Sequence, residues 1–522
     1  MKRTTVQTFS RVAAFVALPL AGASCGSNST TPGFQGGSST GTSVTGSISG
    51  SSGAIGSTSA PSGGSSGSSM GSTSQGASSP TTGSTSGSTN GSSSPANGST
   101  NGSSGSSWAS GSGSSSSYMG MKTPGTAQAG DITVAPATTY QTVDGFGEAD
   151  VWQGSSSTAM QTLLFDPVNG IGLTLLRIGI DGTSGKPTIM GGAGFADGQA
   201  ITKFGGKVWA APWSPPAGDK DNGNVNNGGH LLAADYASWA AVLAAFPAYY
   251  KANGGVDLYA MSAQNEPDFV ASYQSCIFDS AQMVAWIKVL GPALAALNPP
   301  VKVLAAEPDN WGNLWGGDGY GPAILADSTA SSYVGPLATH DYGTTSAGTY
   351  ARPTPPADNT HHVWETECTP GDTTAITLAT MVYAAFTTGG ASAWHYWWTE
   401  AFVPDVTNPP PQVYALGNFS KFVRPGYMRV DVTGAPTPSG TAPLVVAFTN
   451  PADGTVAIVV VNGGGAQQVS FFVSGTAWPA SVTPYVTSAS SKLAAGTAIT
   501  VTGARFSASL GAQSVTTFVG KP

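Results

Sequence analysis

At 522 residues the chain exceeds one ordinary domain, yet 71 glycines and only 9% charged residues mean that part of it cannot build a core. A net charge of −8 with just 19 Lys+Arg excludes the basic footprint that nucleic acid or an anionic membrane surface requires. After the amino terminus no segment approaches ~18 consecutive apolar residues, which excludes a polytopic membrane protein.

In chain order, Met1–Ser24 carries Lys2, Arg3 and Arg11 ahead of a short apolar run from Val12 to Leu20 and a close of small residues, the layout of an export signal. Cys25 after Ala23-Ser24 resembles the lipid-modified cysteine of a bacterial lipoprotein signal, although Gly22 stands where such signals usually carry Leu. Secretion and a lipid anchor at Cys25, the one membrane contact expected, therefore both stand open. Residues 25–128 are rich in Ser, Gly and Thr and have no charge from Gly26 to Met121, so they cannot offset their ordering entropy by burial and are expected to form a flexible tether.

Beyond about residue 130 the pattern changes. A strand-like segment at 129–140 is expected to join a later sheet. Strand-type runs follow at Asp144–Asp150, Leu173–Asp181, Lys207–Pro212, Asp257–Asn265, Lys302–Glu307, Pro336–His340, His362–Glu367 and Ala391–Trp398. Between several of them lie helical stretches, the clearest being LAADYASWAAVLAAFPAYYKANGG, AQMVAWIKVLGPALAAL and AITLATMVYAAFTTGG. Eight strands alternating with helices predict an α/β fold, a (β/α)8 TIM barrel over 141–423. After Arg424-Pro425-Gly426 the segments LVVAFTN, TVAIVVVNGG, QVSFFVSG, TAITVTG and QSVTTFVG come without helices, and predict an appended β-sandwich over 424–522.

A barrel of this kind builds its active site at the carboxyl ends of its strands. The acidic residues there are Glu148, Asp181, Glu266, Glu307, Asp341, Glu365 and Glu367. Glu266 ends the fourth strand inside SAQNEPDF, and Glu367 ends the seventh inside HHVWETEC. Those strands lie almost opposite one another, so the two carboxylates can converge on one bond, the machinery of glycoside hydrolysis. Glu365 is two residues before Glu367 and shares its face by alternation, so spacing leaves either as nucleophile. The strand-end position favours Glu367, with Glu365 deeper and beside Arg177.

SAQNEPDF, VWETE, DGFGEADVW, KVWAAPWSPP, FSKFVRPGYMRVD and AQSVTTFV together resemble glycoside hydrolase family 30, in particular its bacterial endo-β-1,4-xylanase (glucuronoxylanase-like) branch. The resemblance implies a retaining cut of internal xylan bonds, with Glu266 as acid/base and Glu367 as nucleophile. It also implies that Asn265 holds the 2-hydroxyl of the sugar being cleaved and that Tyr342 hydrogen-bonds the nucleophile. In a retaining pair the ionised nucleophile keeps its partner protonated until it donates. The branch grips a glucuronic acid substituent with an arginine after strand eight, where this chain reads WHYWWTEAFVPD and has Glu400 instead. An endoxylanase independent of glucuronate is the resulting expectation.

Trp213, Trp394 and Trp398 are the favoured sugar platforms because they sit at strand ends, although any single Trp is more often packing. With Cys276 ten positions after Glu266 and Cys368 directly after Glu367, export makes a disulfide bracing the two loops an expectation. The adjacent His361 and His362 point to opposite strand faces, so no metal is expected, nor any cofactor. The expected partner is xylan, met by a monomer that is secreted or held at the surface. The competing readings are a β-1,6-glucanase or glucosylceramidase-type activity of the same family and, from another class, a tethered noncatalytic carbohydrate-binding protein.

Overall fold

The computed structural model describes residues 125–154, 156–191, 194–316, 319–342 and 360–522. The export signal, Cys25 and the tract up to residue 124 lie outside them, so the expectations for those segments stay expectations.

Strand β1 (Ile132–Thr142) runs two residues past its expected end. It is followed by β2 (Gly145–Asp150), β3 (Leu175–Asp181), the two-residue β4 (Thr188–Ile189), β5 (Lys207–Pro212), β6 (Leu258–Ser262), β7 (Lys302–Ala306), β8 (Val334–His340), β9 (Val363–Glu367) and β10 (Ala393–Tyr396). Apart from β4, which pairs antiparallel with β3, the strands β2 to β10 are parallel neighbours. Pairing of β2 with both β10 and β3 closes the sheet into the eight-stranded barrel expected from the alternation.

The interior is filled by a layer in which bulk and smallness alternate, with Trp209 and Trp364 packed against Ala149, Ala260, Ala338 and Ala393. Gly147 belongs to this economy of space: a Cβ there would come within 2.4 Å of the His395 ring. Helices at Tyr236–Gly254, Ser280–Ala295 and Ala375–Thr387 cover the barrel, as the apolar spacing requires. The second starts at a capping box of Asp279 and Gln282, and the first ends where Gly255 takes a left-handed φ of 68°.

The side domain is one hydrogen-bonded sheet of ten strands, β1 with β11 (Met428–Thr433), β12 (Leu444–Thr449), β13 (Val456–Asn462), β14 (Gln467–Val473), β15 (Ser481–Thr487), β16 (Ala494–Ala495), β17 (Ile499–Thr500), β18 (Arg505–Leu510) and β19 (Ser514–Gly520). It folds over its own core, so that Phe471 and Phe506 from one half pack on Phe518 from the other at 5.6 and 5.4 Å. Three of its longer strands escaped the pattern reading. β15 contains Pro484, which argues against a strand, while β11 and β18 lie in segments with few consecutive apolar residues. Conversely TAITVTG keeps only the two residues of β17. The sheet docks through an apolar face, where Leu444, Val446, Phe448, Val459, Val461 and Val515 share a core with the barrel's helices and Phe448 meets Phe386 at 5.7 Å. Polar groups add to it, Gln141 Nε2 donating to the carbonyls of Phe386 and Ala391 at 2.7 and 2.9 Å, and Asn418 Nδ2 to Tyr485 O at 2.9 Å.

Candidate active site

At the carboxyl end of the barrel, side chains from β3, β6, β7, β8 and β9 meet around one buried cation. Arg177 of β3 is fully buried; it donates through Nη1 to Glu367 Oε2 and through Nη2 to Asn265 Oδ1 at 2.5 Å, and its Nη2 lies 3.2 Å from Glu307 Oε1. Burial alone would disfavour the charged guanidinium, but Glu307 and Glu367 outweigh it and raise the Arg177 pKa. Trp213, Trp209 and Trp397 surround the same guanidinium, with ring centroids 4.9, 5.3 and 5.6 Å away.

Glu266 follows β6, and its backbone takes φ +44°; Glu307 follows β7 with φ +61°. Both are left-handed conformations that side chains with a Cβ seldom adopt, and the two residues are tied by a bond from Glu266 N to Glu307 O of 3.1 Å. Such strain at paired strand ends turns both carboxylates toward the barrel axis. Glu266 Oε1 meets His340 Nδ1 at 3.1 Å, and His340 Nε2 lies 3.5 Å from Glu307 Oε1 and 3.7 Å from Glu367 Oε2. Tyr342, just past β8, donates its hydroxyl to Glu367 Oε1 at 2.9 Å.

The electrostatics follow from burial and company. Burial would push the His340 pKa down, but Glu367, Glu266 and Glu307 face it and carry it up to about 10, so the imidazole holds its second proton at neutral pH. Burial would push Glu307 up, yet Arg177 and His340 hold it down at about 2. Burial raises Glu367 above the ordinary glutamate value and Glu266 adds to the rise, while His340, Arg177 and the Tyr342 hydroxyl pull the other way. His395 is the neutral counterpart: its Nε2 accepts from Trp209 Nε1 at 3.1 Å, and burial lowers its pKa to about 4.

Ligand atoms of Glu266, His340 and Glu367 lie within 4.8 Å of one another, and so do those of Asp341, Glu365 and Cys368. In the first group Arg177 and the charged His340 already supply positive charge, so a metal ion would meet repulsion there. The second group is closed behind Trp311, whose indole donates to Glu365 Oε2 at 3.3 Å.

Several expectations need correction. Glu365 and Glu367 do not share a face. The β8–β9 register runs Thr339↔Glu365 and then His340↔Glu367, so a bulge at Thr366 breaks the alternation. Glu367 therefore enters the barrel beside Arg177, whereas Glu365 faces Trp311 in the helical layer. The same bulge turns Cys368 outward, its Sγ 4.0 Å from Asp341 O, while Cys276 is buried behind the loop after β6 near Lys220; no disulfide joins the two buried cysteines.

Trp394 is not a platform either. It lies fully buried on the outer face of β10 among helical residues, because Ala393 and His395 take the inward positions. The neighbour that sequence reasoning passed over is Trp397, which alternation from His395 could have found. Trp398 stacks on Trp397 at 6.2 Å and donates its Nε1 to Val151 O at 2.6 Å, placing it at the rim. Trp213 lies buried beside Arg177 and touches Trp152 and Trp397 at 5.3 and 6.2 Å. His340 was likewise missed, appearing in the sequence reading only as the last residue of a strand.

With this geometry in view, the similarity to known proteins acquires meaning. Residues 199–376 match the TIM-barrel domain model of glycosyl hydrolase family 30. The chain is 29% identical over 411 residues to glucuronoxylanase XynC of Bacillus subtilis (strain 168), covering 75% of this chain and 92% of that protein. Among solved structures it resembles the family 30 subfamily 8 xylanase Xyn30A from Clostridium acetobutylicum, with TM-score 0.66 and 30% identity over 76% of this chain and 100% of that one. A family 30 endoxylanase from Clostridium papyrosolvens C71 is similar to the same degree, with TM-score 0.63 and 30% identity over 75% and 100% of the two chains.

Proposed function

The chain belongs to glycoside hydrolase family 30 and is an O-glycosyl hydrolase with xylanase homologues, and from that premise we propose that it cleaves internal β-1,4-xylosidic bonds by double displacement. The observation carrying this reading is the approach of a Glu266 oxygen to within 4.8 Å of a Glu367 oxygen. Retaining pairs stand ~5–5.5 Å apart, whereas inverting pairs need ~6.5–9.5 Å to admit a water between them.

Glu266 is the acid/base and Glu367 the nucleophile. Tyr342 and Arg177 each hold one Glu367 oxygen and so aim the carboxylate at the anomeric carbon. As Glu367 attacks, Glu266 gives its proton to the departing sugar oxygen. Once Glu367 is esterified its charge is gone, and Glu266, now deprotonated, takes a proton from the water that releases the sugar. Asn265, oriented by Arg177, is placed to hold the sugar 2-hydroxyl. His340 steadies Glu266 at 3.1 Å.

Independence of glucuronate is supported by the residues after β10: from Ala393 to Ser420 there is no Arg or Lys, and the exposed Glu400 would repel a uronate. Met1–Ser24 would export the chain, with Cys25 either lipidated or merely released with it. The test is proton NMR of the first product formed from xylan. The β-anomer supports retention, and the α-anomer appearing first refutes it. Hydrolysis of glucuronoxylan alone, with arabinosylated and linear xylan untouched, would refute the independence from glucuronate.

A further inference from the structure

Among the described residues, eight large hydrophobics are exposed, and three of them, Phe269, Val270 and Tyr273, lie on the loop that follows Glu266, while a fourth, Trp152, meets Tyr273 and Trp213. Phe269 is 42% and Val270 63% exposed, three and four residues past Glu266. Isolated exposed apolar side chains are ordinary, but a group of them beside catalytic carboxylates marks a binding surface.

The segment that carries them is held firmly. Phe269 N donates to Glu266 O at 3.1 Å, so the apolar pair begins one tight turn from the acid/base. Asp268 between them accepts from Asp309 N at 3.0 Å and from Asn313 Nδ2 at 2.8 Å. Phe278 N closes the loop on Pro267 O at 2.9 Å. From the other side the buried Lys220 donates to Ser275 O at 2.6 Å and Ser214 Oγ at 3.2 Å, tying this loop to the one after β5. Val270 leans on that second loop, where a Cβ on Gly228 would come within 3.0 Å of it. Tyr273, further along the same loop, meets Trp152 at 5.7 Å, and Trp152 in turn meets Trp213 at 5.3 Å.

An apolar shelf fixed to the acid/base lies where the leaving sugar departs, because the proton donor must face the leaving oxygen. Resting on the xylanase reading, we propose that Phe269 and Val270 form a leaving-side subsite that takes the second xylose beyond the cleaved bond on its apolar ring face. Xylose has no hydroxymethyl group, so a shelf with neither charge nor hydrogen-bonding side chain suits it. Rigidity adds to its value, since little ordering is needed on binding.

The experiment compares wild type with Phe269→Ala and Val270→Ser, both at exposed positions. Each is assayed on an aryl β-xylobioside, whose leaving group reaches only the first position, and on end-labelled xylohexaose, whose cleavage positions are mapped. The expected result is kcat/KM on the aryl substrate within about twofold of wild type, with xylohexaose cuts that leave two or more units on the leaving side reduced about tenfold. An unchanged xylohexaose pattern, or equal losses on both substrates, would overturn the subsite. Wild-type enzyme that leaves every xylooligosaccharide intact would instead overturn the xylanase reading beneath it.

Discussion

Glu148 is a fully buried carboxyl beside Thr399 and Asp197, and replacing it by glutamine is expected to stabilise the protein above about pH 5. Its side chain lies outside the barrel wall, with Asp150 and Asp197 as acidic neighbours. Burial, with Asp197 adding to it, raises the Glu148 pKa to about 8, and a hydrogen bond from Thr399 only partly offsets this. Hydrogen bonding requires the proton as well. Thr399 Oγ1 contacts both Glu148 Oε2 and Ala149 O, the latter at 2.9 Å, and one hydroxyl hydrogen cannot serve two acceptors unless Glu148 supplies its own.

Because the folded pKa lies above the unfolded value, the favourable contribution of this group is fully present below about pH 4.5 and is lost as pH rises to about 8. Between about pH 4.5 and pH 7 this loss amounts to about 3 kcal/mol. Glutamine keeps the shape and a donor without titrating. Urea unfolding followed by tryptophan fluorescence should therefore give Glu148→Gln within about 1 kcal/mol of wild type at pH 4, and ahead by about 3 kcal/mol at pH 7. A difference that does not change between those pH values would refute the assignment of a protonated Glu148.

Further outcomes follow from the same structure. Glu367→Ala should abolish sugar release, a loss of several orders of magnitude in kcat, while xylan binding measured by pull-down on insoluble substrate persists. Arg177→Met leaves Glu307 and Glu367 buried without their guanidinium, and should cost about 3–5 kcal/mol in denaturant melts near neutrality. Glu307, held at about 2 in the fold, contributes stability present above about pH 4.5 and lost as pH falls toward 2, so Glu307→Gln should flatten the acid limb of the wild-type stability curve. Trp394→Ala should lower stability by about 3–5 kcal/mol with kcat/KM per folded molecule little changed, whereas Trp397→Ala should chiefly raise KM on xylan. Equal effects of the two would contradict the placement of Trp394 among the helices and of Trp397, just past β10, over Arg177.

The fold was legible because its signals are local. Short apolar strands alternating with helical stretches announce a parallel barrel, and all eight of its strands appear where the pattern puts them. The side sheet was less legible where Pro484 interrupts β15 and where β18 alternates small polar residues, since there pairing partners distant in sequence define the strand. Glu266 and Glu367 were visible for a similar reason, as charges at the ends of apolar runs.

What sequence alone determined, then, was the barrel, its appended sheet and the two carboxylates at opposite strand ends, all written in spacing and in residue type. Tertiary structure decided which side chains face which. Alternation from the inward Trp364 faces Glu365 outward, a single bulge at Thr366 then sends Glu367 inward and Cys368 outward, and strict alternation in β10 sends Trp394 out. The meeting of Arg177, Glu307 and His340 around Glu266 and Glu367 is a matter of three strands closing on one axis. Periodicity gives the direction of each side chain within its own strand, but a bulge and the closure of a barrel are properties of strands paired with one another.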